Sequence, residues 1–357
     1  MEKIDIVIIG AGIAGIASAY YLQKNFPNIR FKILESRSSV GGTWDQMRFP
    51  GVRADNDMYT YGFSFDPWKG SIIGNGQEIK NYLSQVTQKF NIKKHILFNT
   101  DVLSLSWKNN EWIITTDSKK FSSQYVICCT GSRNRKKPHL PKFKNEKNYQ
   151  GKIIHTQAWG NTKFKDKNVT IVGSGCTAIT MAPSIIKEAK KVTLVQRSPA
   201  WILNIDSKEK SSRTFKTFQV LWDYFSSRIF KKFQRQKMIS ENSYYNETSY
   251  DYWDQRPASS LDNDYFSAVK SKKVTIERQG ISNWEKTGVK LNNGKIIKSD
   301  ITIMATGGNT QLLGGIDIFV ENKKININDT SWYRGMMFSG LPNLFAHAGY
   351  ILSLIHI

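Results

Sequence analysis

The residues best suited to chemistry are two glycine-rich turns. The first, Gly10-Ala11-Gly12-Ile13-Ala14-Gly15, follows an apolar run and opens an alanine-rich one. At this spacing Gly10 permits a tight turn, Gly12 lets backbone approach a pyrophosphate, and Gly15 lets a helix pack closely on a strand. The helix N-terminus adds free N–H groups and a positive dipole end, with Ala14 in its first turn. Twenty residues after Gly15 stands Glu35, an acceptor for a ribose diol. The second turn, Gly173-Ser174-Gly175-Cys176-Thr177-Ala178, has Ala178 in third place, still small enough for close packing. Its second strand ends in Gln196-Arg197-Ser198. There the acid is lost and a guanidinium beside a hydroxyl is gained, which suits a 2′-phosphate. The first site is therefore expected to take FAD or NAD and the second NADP, the pattern of a flavoprotein reduced by NADPH.

Such turns need strands before them and helices after them. Ile4–Ile9 precedes the first turn, and further apolar runs at Phe31–Glu35, Tyr125–Thr130, Val169–Val172, Val192–Gln196 and Ile301–Ala305 read as strands. Strand, glycine turn, helix and strand recur at residues 4–35 and 169–197, an internal duplication. The pattern predicts an α/β chain of two Rossmann-like dinucleotide-binding domains, the NADP domain inserted in the FAD domain. The expected borders are 1–148 for the first part of the FAD domain, 149–299 for the NADP domain and 300–351 for the return to the FAD domain. Ser132–Lys147, rich in Arg, Lys and Pro, reads as a linker. Lys3 and the apolar stretch ending in Ala17-Ser18-Ala19 imitate a secretory signal. A signal has no use for three spaced glycines, so the strand–turn–helix reading prevails.

At 357 residues the chain exceeds a single core, since such cores stop growing near roughly 250–300 residues. A hydrophobic content of 40% excludes a disordered chain. No uninterrupted apolar window of about 18 residues exists to span a membrane. The balance of 51 Lys+Arg against 29 Asp+Glu is +22. The lysines are spread along the chain and form no phosphate track, so the charge favours an anionic cofactor or a membrane surface over nucleic acid. Three cysteines, with Cys128 and Cys129 adjacent, make no disulfide framework and point to a reducing, cytoplasmic setting. No Cys-x-x-Cys pair exists for a disulfide reductase, and Cys128-Cys129 read as buried small hydrophobes.

Longer stretches carry a family resemblance. Glu35-Ser36-Arg37, then Gly41-Gly42-Thr43-Trp44-Asp45 and Arg48-Phe49-Pro50-Gly51-Val52-Arg53-Ala54-Asp55-Asn56-Asp57-Met58-Tyr59 resemble the FAD-containing Baeyer–Villiger monooxygenases. The similarity is closest to the branch of thioamide-activating and long-chain alkane monooxygenases. It continues through Gln196-Arg197-Ser198-Pro199, Trp253-Asp254-Gln255-Arg256 and Ala305-Thr306-Gly307, and ends around Gly349-Tyr350-Ile351. The family's linker fingerprint stands here as Tyr149-x-Gly151-x-x-x-His155-x-x-x-Trp159-Gly160, with Tyr149 and Gly160 departing from it. The resemblance implies FAD and NADPH as cofactors, O2 as co-substrate, and a C4a-peroxyflavin that adds to an apolar carbonyl or oxygenates a sulfur compound. It implies cofactor contacts from Gly42, Thr43, Trp44, Asp45, Arg53, Val102, Thr177 and Ala178, and an organisational role for His155 and Trp159 beside them. Arg256 matches the active-site arginine, whose permanent charge suits a peroxide anion and an oxyanion in a dry pocket. Asp55 matches the carboxylate that holds it. The alternatives are an N- or S-oxygenating flavin monooxygenase and an NADPH oxidase-like flavoprotein without productive oxygenation.

Within a helical insertion expected at about 205–265, Phe215, Phe218, Leu221 or Trp222, Phe225, Ile229 and Phe233 recur at helical spacing. Lys208–Lys237 has nine basic and two acidic residues, 9 − 2 = +7. This reads as an insertion whose stripe covers the NADP domain and the substrate tunnel, in preference to a helix lying on an anionic membrane. Leu352-Ser353-Leu354-Ile355-His356-Ile357 departs from the family's continuation and reads as a non-native tail on a truncated chain. Such a form is expected to be poorly soluble or to lose FAD readily.

Overall fold

The computed structural model describes residues 1–207, 248, 250 and 257–347. They form two compact units: Met1–Gln46 with Gly76–Lys137 and Gly308 onward, and Met47–Asn75 with Pro138–Gly307. Of the helical insertion expected at about 205–265, residues 208–247, 249 and 251–256, with Arg256 among them, lie outside the described residues, as does the tail, while Ala258–Leu261 forms a strand and not a helix. Among the described residues no helix is long and apolar enough to cross a membrane.

In the first unit the strands are β1 (Glu2–Ile9), β2 (Phe31–Leu34), β3 (Ile96–Leu97), β4 (Val102–Lys108), β5 (Glu111–Thr116), β6 (Lys120–Cys128) and β7 (Arg133–Pro138). Returning chain adds β18 (Gly308–Thr310), β19 (Asp317–Val320), β20 (Lys323–Lys324), β21 (Trp332–Tyr333), β22 (Met337–Phe338) and β23 (Leu344–Ala346). The main sheet runs β20-β19-β4-β5-β6-β1-β2-β3, with β23 on β6 and β22 and β21 beyond it, while β7 pairs with β18. β1 lies parallel to both β2 and β6 and is buried from Ile6 to Ile9, as its Ile6-Val7-Ile8-Ile9 run requires of a central parallel strand. β4, β5 and β6 form an antiparallel meander, and β5 alternates between half-buried and buried positions. Helix α1 (Ile13–Asn25) follows β1, a short helix α2 (Thr43–Gln46) comes next, and α4 (Gly76–Lys89) buries Ile79, Leu83 and Val86 at helical spacing. Between the last two in sequence lies α3 (Met58–Tyr61), which belongs to the second unit.

The second unit holds β8 (Lys152–His155), β9 (Asn168–Val172), β10 (Lys191–Val195), β11 (Ile202–Ile205), β12 (Ala258–Leu261), β13 (Val274–Glu277) and β17 (Ile301–Met304). Five of them make a sheet in the order β13-β10-β9-β17-β8, parallel throughout. β11 and β12 form a separate parallel pair. β14 (Ile281–Glu285), β15 (Gly288–Leu291) and β16 (Ile296–Lys298) form an antiparallel sheet. Helix α5 (Cys176–Ile185) follows β9, and α6 (Asp264–Lys270) follows β12.

The predicted strands are present, with ends shifted by a few residues. β6 begins five residues before the run at Tyr125, because Lys120–Ser123 pairs with β5 in spite of its polar residues. Residues 47–75, read with the first domain, pack with the second unit. Phe49 belongs to that unit's core, with Met47 and Val52 packed against it. A Cβ on Gly51 would lie 2.2 Å from Ser184 Oγ and 2.8 Å from Thr180 O, so the loop sits directly on α5.

Trp112 anchors the return segment to the meander: its buried indole donates to Pro342 O at 2.8 Å and packs beside Trp107. Trp112→Ala should therefore cost about 3–5 kcal/mol, read by circular dichroism as a lower urea midpoint. An unchanged midpoint would show that the return segment is not held there.

Candidate functional site

The first glycine turn leaves β1 at Ile9 and enters α1 at Ile13. Gly10 has φ +104°, and a Cβ on it would lie 2.5 Å from Cys129 O. One on Gly15 would lie 1.9 Å from Gly10 O. Protein packing thus requires both glycines. Gly12 differs: it caps α1 at φ −80°, and its Cβ would meet only Gly42 Cα at an ordinary 3.6 Å. Nothing in the chain forbids a side chain there. Ala14, in the first turn of α1, leaves its amide at the same end of the helix.

Beside the turn is a cavity of about 440 Å³ lined by Gly10, Ser36, Arg37, Val102, Thr130 and Gly314 among others. Its volume lies in the range of small-molecule sites, and it opens at the carboxyl ends of β1 and β2, where nucleotides bind in such sheets. Glu35 is buried behind the lining. Its Oε2 accepts from Ala11 N at 2.7 Å and its Oε1 from Arg37 N at 2.9 Å. Glu35 therefore shapes the turn.

Gly42 stands with φ +54° against Gly12, and Thr43, Trp44 and Asp45 form α2. Asp45 is 1% exposed and is bridged by Arg37 and by Lys80 of α4, the latter at 2.7 Å. Burial alone would push its carboxyl up, but hydrogen bonds from Lys80, Arg37 and Ser39 hold it well below the usual carboxylate range. Asp45 thus fixes the Gly41-Gly42 loop to α4. Ser36, Arg37, Thr130 and Gly314 are lining residues that the sequence reading missed, because strand pairing brings them together from distant parts of the chain.

In the second unit Gly173 has φ +143°, and a Cβ would lie 2.3 Å from Ala305 O. Gly175 caps α5, and a Cβ there would meet nothing within 4 Å. Ser174 stands between them, Thr177 follows in the first turn, and Ala178 is fully buried. Arg197 and Ser198 follow β10; Arg197 is exposed and makes no hydrogen bond or ion pair among the described residues. Both turns therefore keep one glycine, Gly12 or Gly175, that packing does not require, which fits a dinucleotide approaching each.

The fingerprint residues sit together in the second unit. Tyr149 is buried, and its hydroxyl donates to Ser299 O at 3.1 Å and meets Thr302 Oγ1 at 3.0 Å, which explains a tyrosine there. His155 ends β8; its Nδ1 accepts from Gln157 N at 3.1 Å, and its Nε2 is buried without a hydrogen bond among the described residues. Burial pushes its imidazole below its ordinary value, partly offset by the backbone of Gly307 and His139. Trp159 meets Phe49 and Phe164 at ring distances of 6.4 Å and 6.0 Å. Arg53 directs its guanidinium at Asp264 and Ser259 O. Asp55 is half-buried, and its backbone oxygen accepts from Ser259 Oγ at 3.5 Å. Cys128 and Cys129 are buried free thiols, and burial pushes the Cys129 thiol up to about 12.

Comparison with known proteins gives consistent results. Residues 7–249 match the pyridine nucleotide-disulphide oxidoreductase family model. The chain is 36% identical to a probable FAD-binding monooxygenase, AlmA, of Acinetobacter sp, over 98% of this chain and 78% of that protein. It is 34% identical to the FAD-containing monooxygenase EthA of Mycobacterium tuberculosis, with the same coverage. A crystal structure of cyclohexanone monooxygenase bound to epsilon-caprolactone superposes with a TM-score of 0.82 at 21% identity, over 98% of this chain and 83% of that one.

The two kinds of glycine separate experimentally. Gly15→Ala should destabilise the flavin-free protein by about 1–3 kcal/mol or more. Gly12→Ala should change its stability by less than about 0.5 kcal/mol and still abolish retention of FAD. Melting of flavin-free protein and flavin content after gel filtration check both outcomes. Asp45 has a depressed folded-state pKa, so its stabilisation is present above the ordinary carboxylate range and is lost as pH falls through and below it. Asp45→Asn should accordingly lower stability at pH 7 and flatten the fall in melting temperature between roughly pH 5 and 3.

Proposed function

We propose that this chain, which belongs to the FAD-containing monooxygenases and over residues 7–249 to the pyridine nucleotide-disulphide oxidoreductase family, is an NADPH- and O2-dependent Baeyer–Villiger monooxygenase. Its substrate class is an apolar ketone, or a sulfur compound oxygenated by the same site. The observation that carries the reading is the pair of helix-capping glycines, Gly12 and Gly175, that are small for no reason of packing. The overall balance consumes NADPH, a proton and O2, and yields oxygenated substrate, NADP+ and water.

Gly10, Gly12, Ala14, Gly15, Glu35, Gly42, Thr43, Trp44 and Val102 would hold FAD, with Asp45 fixing the loop beneath them. Gly173, Ser174, Gly175, Thr177, Ala178, Arg197 and Ser198 would hold NADPH. Bound FAD would supply the redox chemistry between NADPH and O2. The first-turn amides of α1 and α5 offer donors and a positive dipole end to the two pyrophosphates. Arg197 and Ser198 give the 2′-phosphate a charge-assisted contact that NADH cannot use. Arg256 would place a guanidinium that cannot lose its proton at the atom where negative charge develops on oxygen. Asp55 would orient that guanidinium. His155, buried with its pKa lowered, stays neutral near pH 7 and serves the strand end as a positioning group, not an acid. The free thiols among the described residues accord with a reducing, cytoplasmic setting.

The test is oxygen insertion. With NADPH, 18O2 and 2-dodecanone or methyl phenyl sulfide, one labelled oxygen should appear in ester or sulfoxide. Arg256→Ala should retain FAD and NADPH oxidation but lose ester formation by about 100-fold or more; near-native ester would remove Arg256 from this role. A phosphate contact of about 1.5–3 kcal/mol implies a preference for NADPH over NADH of tenfold or more. Arg197→Ala should bring the two rates of flavin reduction together, and equal rates in the native protein would refute the assignment.

A further inference from the structure

Arg53 stands two residues before Asp55, yet its side chain is only 11% exposed. Its Nη1 donates to Asp264 Oδ2 at 2.6 Å, and its Nη2 donates to Ser259 O at 3.0 Å. Asp264 is itself held: its Oδ1 accepts from Ser260 Oγ at 3.0 Å, Leu261 N at 3.0 Å and Tyr265 N at 2.7 Å. Ser259 then directs its hydroxyl at the backbone oxygen of Asp55. On the other side Arg53 bridges Asn75, and Ala54 N donates to Gly74 O at 2.9 Å. The loop carrying Asp55 is therefore clamped between residues 74–75 and β12. One guanidinium ties the segment of Asp55 to β12 and to the first residue of α6.

We infer that Arg53, paired with Asp264, is the positioning residue of Asp55 and not a cofactor contact. This rests on the roles proposed above for Asp55 and Arg256. A planar fork satisfies a carboxylate and a carbonyl together, whereas an ammonium serves them poorly at once.

The test uses the full chain with Arg53→Lys, Asp264→Asn and Asp55→Asn. In flavin-free protein, hydrogen exchange at residues 53–55 and 258–261 should speed up about tenfold in Arg53→Lys and Asp264→Asn, and residues 4–35 should not change. In FAD-loaded protein, product from 2-dodecanone or methyl phenyl sulfide per NADPH consumed should fall about tenfold. FAD content and the KM for NADPH should stay within twofold of native. Native exchange and native coupling in Arg53→Lys would overturn the clamp. So would loss of FAD or a tenfold rise in the KM for NADPH, since Arg53 would then touch a cofactor. If neither Arg53→Lys nor Asp264→Asn accumulates folded, the pair is a folding element and the positioning role is refuted. Failure of the parent reading looks different: Asp55→Asn would couple like native protein while the exchange changes in Arg53→Lys persisted, removing the catalytic purpose of the clamp.

Discussion

Helix α1 leaves β1 so closely that a methyl group on Gly15 would sit 1.9 Å from the carbonyl oxygen of Gly10. That approach sets the rest of the first unit. It places the helix end beside the strand end, and Glu35 can then reach across to the Ala11 amide. It also sets Gly12 opposite Gly42, whose Cα would stand an ordinary 3.6 Å from a Cβ there. The second unit repeats the geometry in part: Gly173 stands against Ala305 O as Gly10 stands against Cys129 O. Ala178 replaces the third glycine, so there the tightest contact lies between turn and neighbouring strand and not between turn and helix.

Charge in this molecule is local in its effects despite a net +22. A carboxylate buried as deeply as Asp45 would be costly alone. Lys80 and Arg37 compensate it from two directions, and the Gly41-Gly42 loop becomes part of the fold as a result. Arg53 and Asp264 make a similar pair in the second unit. Both pairs serve to hold loops in place.

Much of this was legible in the sequence. Short, largely apolar runs identified β1, β9, β10 and β17, since a central parallel strand must be buried on both faces. The spacing of Gly10, Gly12 and Gly15 identified the turn that follows. Cys128 and Cys129 were readable as core because they continue a strand. Other features depend on long-range packing that no local pattern announces. Residues 47–75 follow a first-unit motif without a break, yet Phe49 and Gly51 commit them to the second unit. The partner of the Tyr149 hydroxyl lies 150 residues further on, at Ser299. The carboxylate of Arg53 lies 211 residues away, at Asp264.

The pairing of β23 with β6 has a consequence for the growing chain. Leu344 faces Val126, 344 − 126 = 218 residues later. At roughly 5–20 residues per second, translation leaves that flank of β6 unpaired for about 10–45 s. The parallel sheet of the second unit receives β17 at Ile301–Met304, before β23 has been made. The unit that starts at the amino terminus is thus the last to close. Until then the nascent chain carries an open strand edge through Val126, Ile127 and Cys128, of the kind that pairs with a neighbouring chain when nothing shields it.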